Sequence, residues 1–315
     1  MLLIKEWLQL PSASDFWTDK FLDIVSNFIN TSKFLQIEAL LVASISRILV
    51  NLKNFDSEDV DDLPKALLKE KQQEVMESIL VGEISTKQLA LEISHLDSEL
   101  FKKISAKECL HKAFQDKSKS RNYQASIQRS NIFDQWIQTC ILQLKDLERR
   151  ARVLIYFIEL GQELVKMGNF QSSMSIYSAL DSPNISRLEL TWDEIPKRSL
   201  RQWENLKCIF DLNKNYKNYR QEISQHTNPI PYLGILSKDL FAIEEGNPNE
   251  VDKMINVTKI RLLFGQIKSI QHFQKIPSSP FPSKDKTILA YLNHLTFCSS
   301  EELYKMSIEL EPKST

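Results

Sequence analysis

Apolar side chains recur along this chain at helical rather than alternating spacing, and the pattern predicts an all-α protein. Phe16, Trp17, Phe21, Ile24, Val25, Phe28 and Ile29 return about every 3.6 residues, and Ile37 to Leu49 continues in the same way. Ser85 to Phe101 carries Leu89, Leu91, Ile93, Leu96, Leu100 and Phe101, with Ser85 placed to cap it; Ala106 to Phe114 continues helically after a Lys-rich break. Ser126 to Leu144 and Glu148 to Met167 predict two longer helices. In the second, Leu154, Phe157, Ile158, Leu160, Leu164 and Val165 cover more than one face, which predicts a central helix packed on several sides. Gly168-Asn169 is suited to end it, Phe170 to Leu180 forms the next helix, and Asp181-Ser182-Pro183 stops that one.

Leu200 to Phe210 and a segment through Tyr216 and Tyr219 deliver the chain to the stretch around which it is organised, Pro229 to Lys275. There Ile235 to Ile243 predicts a short helix, Glu244 to Asn249 a six-residue turn, and Val251 to Lys275 a second helix. The expected architecture is an orthogonal helical bundle with a protruding antiparallel helical hairpin. After a Pro-rich interruption at Pro277 to Pro282, Ile288 to Leu295 and Glu301 to Ile308 complete the helices.

Polar stretches set the expected boundaries. Asp56, Glu58, Asp59, Asp61 and Asp62 crowd between Asn54 and Pro64, where like charges repel and cover no core, so a connector followed by a linking helix is expected over 55–81. Asp116 to Tyr123 reads as a basic surface loop. Residues 1–54 read as the back half of a longer helical module, because their first helix starts almost at Met1 without a cap. No leader pattern opens the chain, and no apolar run approaches the roughly 20 residues that cross a bilayer. A cytoplasmic protein is expected, recruited to a membrane only by something else.

Composition narrows the chemistry. Only 6 Gly against 16 Phe in 315 residues argue against a glycine-looped nucleotide-binding sheet. Forty basic and 41 acidic residues give a net charge of -1, so the bulk balance calls for no nucleic-acid partner. Cys109, Cys140, Cys208 and Cys298 stand singly, as free thiols rather than a zinc set. His95, His111, His226, His272 and His294 are scattered, and no phosphate loop, nucleophile elbow or His-Glu-x-x-His occurs. No metal and no cofactor are expected. Protein-on-protein work is left, with a hydrolytic reading resting only on scattered acids.

A set of short motifs then falls in order. They are Ala151-Arg152 through Phe157-Ile158, Gly168-Asn169-Phe170, Ser178-Ala179-Leu180, Arg187-Leu188, Thr191-Trp192 and Asn215-Tyr216-Lys217-Asn218-Tyr219-Arg220. Ile230-Pro231-Tyr232-Leu233-Gly234, Asp239-Leu240, Ile243-Glu244-Glu245-Gly246-Asn247-Pro248 and Glu309-Leu310-Glu311-Pro312 follow. In order and spacing the chain from about Gly82 to Thr315 resembles the Cdc25-homology catalytic domain of guanine nucleotide exchange factors for Ras-like small GTPases, the RasGEF family. Residues 1–54 resemble, more loosely, the end of the Ras exchanger motif module that commonly precedes it.

The resemblance implies a protein that promotes GDP release without covalent chemistry, and therefore not an enzyme that makes or breaks bonds. Phe241 matches the residue that crowds the magnesium site of the GTPase, and Glu245 the carboxylate that competes with phosphate. Ile127, Gln128, Met174, Asp181, Tyr216 and Tyr232 match the surface that cradles the second switch, and Asn247, grouped with them as GTPase-binding, orients the turn by bonding local backbone. Arg187 is expected to cap or pair and Trp192 to fill core. Asp181 stands where Asn is common, Gln128 lacks a charge some relatives carry, and Phe241 is larger than the Leu of some relatives; a non-catalytic GTPase-binding or adaptor module is the alternative reading. The implied partner is a Ras-subfamily GTPase, met by a monomer. Peripheral membrane proximity would come through the lipidated GTPase, aided by Lys253, Lys259, Arg261, Lys268 and Lys275 if they share an exposed face. A secreted effector working in another cell's cytosol fits the same residues.

Overall fold

The structure, a computed structural model, describes residues 77–78, 83–275, 281 and 285–312. The expectations for residues 1–54 and for the connector over 55–81, Glu77 and Ser78 apart, lie outside the described residues. The helices are α1 (Thr86–Lys102), α2 (Arg121–Leu142), α3 (Leu147–Lys166), α4 (Phe170–Asp181), α5 (Pro183–Ser186), α6 (Glu189–Asp193), α7 (Lys197–Ile209) and α8 (Asn213–Ile223). Then come α9 (Leu233–Gly246), strands β1 (Glu250–Val251) and β2 (Met254–Ile255), α10 (Val257–Gln274), α11 (Lys286–Asn293) and α12 (Ser300–Leu310). They pack as a predominantly α-helical orthogonal bundle.

Local sequence sets the ends. The Ser85 hydroxyl accepts the Gln88 amide at 3.2 Å, Asp146 accepts the Arg149 amide at 2.8 Å, and Ser299 and Glu302 form a reciprocal capping box. Helix α3 ends as its sequence predicts. Gly168 sits at φ 76, its amide reaches Val165 O at 2.8 Å, and the Asn169 amide reaches Leu164 O at 2.8 Å, a Schellman termination.

Helix α3 is the central element, packed by α1, α4 and α7, with Leu154, Phe157, Ile158, Leu160 and Leu164 fully buried. Trp136 of α2 lies within 5.5 Å of the Phe133 and Phe157 ring centroids and donates its indole N–H to Tyr291 at 2.8 Å. A second apolar cluster is separate from this core. Phe101, Ile104, Cys109, Phe114 and Tyr123 enclose the buried stripe Leu233, Leu236, Leu240 of α9 and Leu263, Ile267, Ile270 of α10. All four cysteines are free, and burial pushes the Cys109 thiol up to about 12.

Buried polar groups tie the layers. Asp97 of α1 accepts from Arg129 Nε of α2 at 3.1 Å, Asn169 Nδ2 at 2.8 Å and the Ser172 hydroxyl of α4 at 2.5 Å. At the far end Glu311 accepts the Leu190 and Thr191 amides and the Thr191 hydroxyl, at 3.0, 3.1 and 2.7 Å, with Arg150 Nη2 at 3.5 Å. Arg187 caps α12, donating to Ser307 O at 2.8 Å and Glu311 O at 2.6 Å. Trp192 is half-buried against the core and donates to Ile185 O at 3.1 Å.

Three expectations are corrected. Residues 106–114 are not one helix but two 3-10 turns, Ala106–Cys109 and Ala113–Gln115, because Glu108 closes a capping box with Ser105 and also takes the Tyr123 amide at 2.7 Å. His111 and Lys112 between them are left-handed, at φ 50 and 57. The polar loop ends earlier than expected, since α2 begins at Arg121 and Tyr123 is buried in it.

The third correction concerns Pro229 to Lys275. Helix α9 runs through Gly246 and so takes in the first half of the expected six-residue turn, residues 250–255 around the expected start of the second helix instead make an antiparallel β-hairpin, and α10 starts at Val257. The antiparallel pair shown here is thus β1 with β2. Asp252 and Lys253 both have positive φ, 53 and 61, as a two-residue hairpin turn requires, and Asn256 caps α10 by accepting the Lys259 amide at 3.2 Å.

Removing the Glu311 carboxylate leaves Arg150 buried with its charge uncompensated. Glu311→Ala is expected to destabilise the fold by about 3–5 kcal/mol, measured by chemical denaturation of the 315-residue chain.

Candidate functional site

The root of α9 is fixed by the bundle. Ile230 exchanges backbone hydrogen bonds with Gly168 O at 2.8 Å and the Phe170 amide at 3.0 Å. The unpartnered amides of the first turn are met by side chains: Tyr219 OH accepts the Tyr232 amide at 3.0 Å, and Gln171 Oε1 the Leu233 amide at 2.8 Å. Tyr123 donates its hydroxyl to Leu233 O at 2.9 Å. Burial pushes the Tyr123 and Tyr219 hydroxyls well above the usual tyrosine range, so both stay protonated.

From that root α9 carries its side chains in two directions. Leu233, Leu236 and Leu240 face the second cluster, while Phe241 is 42% exposed and the Glu245 side chain 51% exposed, one turn apart. The helix end is gripped from two sides. Glu244 pairs with Lys259 of α10 at 2.6 Å and accepts the His111 amide at 2.9 Å; Lys259 also donates to Glu244 O at 3.1 Å and Asn249 Oδ1 at 2.8 Å. Lys112 pairs with Glu245 and stands 5.5 Å from the centroid of the Phe241 ring. Asn247 turns back to donate to Ile243 O at 2.9 Å, the local role its position predicts. Val251, Met254, Ile255, Val257, Ile260 and Leu262 leave apolar surface exposed beyond it.

A second group of expected residues meets at a cleft of about 120 Å³ between α2, α4 and the start of α9. Ile127, Met174 and Tyr232 line it, with Ser130, Asn131, Asp134, Gln171, Ser175, Ser178 and Gly234. A methyl group at Gly234 would overlap the Tyr232 ring, so glycine there lets the ring lie against the helix. Burial raises the Asp134 carboxyl above the ordinary aspartate range, against hydrogen bonds from Ser178 and Gln138. The lining has one carboxylate and no histidine, so it offers no acid–base pair for hydrolysis.

Tyr216 lies beside this cleft. Burial raises the Tyr232 hydroxyl, and the Tyr216 hydroxyl and Asp134 carboxyl nearby raise it further. Lys214, Asn215 and Tyr216 are all left-handed, at φ 51, 57 and 58, a costly run for residues with a Cβ. Arg220 holds it, donating to Asn215 O at 2.9 Å and Asp239 of α9 at 2.8 Å, while Lys238 of α9 lies 5.0 Å over the Tyr216 ring. Asp181 is exposed, with the Tyr177 hydroxyl at 3.4 Å, and Gln128 is exposed on α2.

The expected residues thus form two groups. Ile127, Met174 and Tyr232 meet in the cleft with Tyr216 beside it; Phe241 and Glu245 sit near the other end of α9, about 20 Å along the helix from Tyr232 to Glu245 at 1.5 Å per residue. Sequence reading missed Asp134, although it stands seven residues after Ile127 on the same helix face. It also missed Lys112, for which no local signal exists, since the contact spans 133 residues. Of the basic residues asked to share a face, Lys259 is buried on Glu244 and Lys253 lies in the β-turn; Arg261 and Lys268 are exposed on α10 and Lys275 is exposed just past its end. Among the described residues no helix is long and apolar enough to cross a membrane.

The family model for the RasGEF domain matches residues 88–261. The chain is similar to Ras guanine nucleotide exchange factor D of Dictyostelium discoideum, 37% identical over 71% of this chain and 34% of the relative. It is similar to factor S of the same organism at 28% identity, over 99% of this chain and 31% of the relative. To Rap guanine nucleotide exchange factor 5 of Mus musculus it is 27% identical over 78% of the chain and 31% of the relative. The chain spans about a third or less of the length of the curated relatives it matches.

Because the folded Asp134 carboxyl holds its proton more tightly than the unfolded one, its contribution to stability is present at low pH. That contribution is lost as pH rises from the ordinary aspartate value of 3.8 through the raised folded one. Asp134→Asn, which stays neutral, is expected to remove this part of the slope, so the stability difference between variant and parent grows in the variant's favour across that window; thermal unfolding against pH measures it.

Proposed function

The chain belongs to the RasGEF domain family, and from that premise we propose that it is a guanine nucleotide exchange factor for a Ras-subfamily small GTPase. The observation that carries this reading is the pairing of a large exposed aromatic, Phe241, with an exposed carboxylate, Glu245, on one face of the last turns of a helix rooted in the core. A helix held so firmly at its base can press these groups into a partner without bending. In this reading α9, with α10 behind it and the β-hairpin at its end, forms the protruding element.

Phe241 crowds the magnesium site, and Glu245 accepts a hydrogen bond from the phosphate-loop hydroxyl while repelling phosphate. Loss of the magnesium removes a major counter-charge from the nucleotide, and GDP leaves. No covalent bond is made or broken. The factor accelerates exchange because it binds the nucleotide-free GTPase more tightly than the loaded one, a coupling that must be reciprocal.

The cleft of Ile127, Met174 and Tyr232, with Tyr216, Gln128 and Asp181 around it, receives the second switch. Support comes from its geometry: the apolar side chains Ile127 and Met174 among hydrogen-bonding serines and amides, Tyr232 in the lining with Tyr216 beside it, and room for one inserted side chain. Residues 82–315 form the catalytic domain in this proposal, with 1–54 as the end of the preceding module and 55–81 as its connector.

Release of a fluorescent GDP analogue from a panel of Ras-subfamily GTPases tests the reading. The parent chain is expected to accelerate release from at least one member. Glu245→Ala and Phe241→Ala should each slow it roughly tenfold to a hundredfold; for Glu245 this matches the loss of about 1.5–3 kcal/mol with a hydrogen bond to a charged group. Stable binding of nucleotide-free GTPase with no acceleration would instead identify a non-catalytic binding module.

A further inference from the structure

Glu245 and Phe241 can act on a partner only if something aims them. Both side chains are exposed, and an exposed glutamate or phenylalanine ordinarily samples several rotamers. Here one residue touches both. The Lys112 ammonium pairs with Glu245 Oε1 and lies 5.5 Å from the Phe241 ring centroid, on the face where a cation is attracted by the ring.

Lys112 is itself held. It lies between the two 3-10 turns, with His111 and Lys112 both left-handed, a conformation that costs energy for residues with a Cβ. Its neighbours fix the loop. The His111 amide donates to Glu244 Oε1 at 2.9 Å, and the Ala113 amide reaches Leu110 O at 2.8 Å. Glu244 is in turn pinned by the buried Lys259. The strained pair is therefore set against the same helix turn that bears Glu245, from a segment distant in the chain.

The contact leaves the carboxylate usable. Only Oε1 is engaged, and Oε2 has no partner among the described residues, so an incoming hydroxyl finds one acceptor free and a carboxylate already turned. Resting on the exchange-factor reading, we propose that Lys112 is a positioning residue for nucleotide release. It sets the orientation of Glu245 and Phe241 before the GTPase arrives, and it acts through them rather than on the nucleotide.

The test uses the 315-residue chain and the GTPase on which the parent is most active, with Lys112→Met, which keeps the stem and removes the charge, and Lys112→Arg, which keeps the charge. At saturating GTPase, Lys112→Met is expected to slow the maximal release rate roughly three- to tenfold, as fits one half-exposed ion pair and one cation–ring contact. The half-saturating GTPase concentration should hardly move, and Lys112→Arg should restore most of the rate. In a Glu245→Ala background, Lys112→Met should add little. Release by Lys112→Met as fast as the parent or faster, while Glu245→Ala is slow, overturns this inference alone. Slowing that adds fully to that of Glu245→Ala also overturns it, because it marks general structural damage. A parent chain that speeds release from no GTPase overturns the exchange reading, and this inference with it.

Discussion

The architecture depends on the polar groups buried where α3 gives way to α4. Asn169 is fully buried, and an amide without partners there would cost several kcal/mol. It is satisfied only by the junction as built: its Oδ1 caps α4 through the Ser172 amide at 3.1 Å, and its Nδ2 reaches Asp97 and Ser94 of α1. Asp97 then carries Arg129 of α2, which donates on to Leu292 O of α11 at 3.0 Å. Four helices are placed by one asparagine and one aspartate, and the Gly168 turn that feeds them has the left-handed backbone glycine adopts without strain.

The same junction reaches the site. Gly168 and Phe170 hold Ile230, Gln171 of the first turn of α4 holds Leu233, and Phe170 packs edge-on to Tyr219, whose hydroxyl holds Tyr232. The start of α9 is thus fixed by groups that the core already fixes, whereas its last turns are gripped by Glu244, Lys259 and the 111–112 loop. Phe241 and Glu245 are presented between a rigid root and a tethered end.

Much of the bundle was legible because helix capping and periodicity are local. Ser85 and Gly168 act within a few residues of themselves, and the many-sided apolar pattern of α3 could only be central. The misreadings share another cause. Val251, Met254 and Ile255 are apolar at spacings that suit a helix, but two left-handed residues between them and a cap at Asn256 override the pattern. Residues 106–114 misled for a similar reason: Glu108 bonds across the chain to Tyr123, which periodicity does not register. Of the site, Ile127, Met174 and Tyr232 do meet, whereas the Lys112 contact depends on tertiary proximity across 133 residues.

Arg220 joins the Tyr216 segment to α9. One guanidinium holds the left-handed Asn215 carbonyl and the Asp239 carboxylate on α9, so the tyrosine platform beside the cleft and the helix bearing Phe241 share a mechanical linkage. Stiffness at a single arginine therefore governs how faithfully the platform and the helix keep their placement relative to one another.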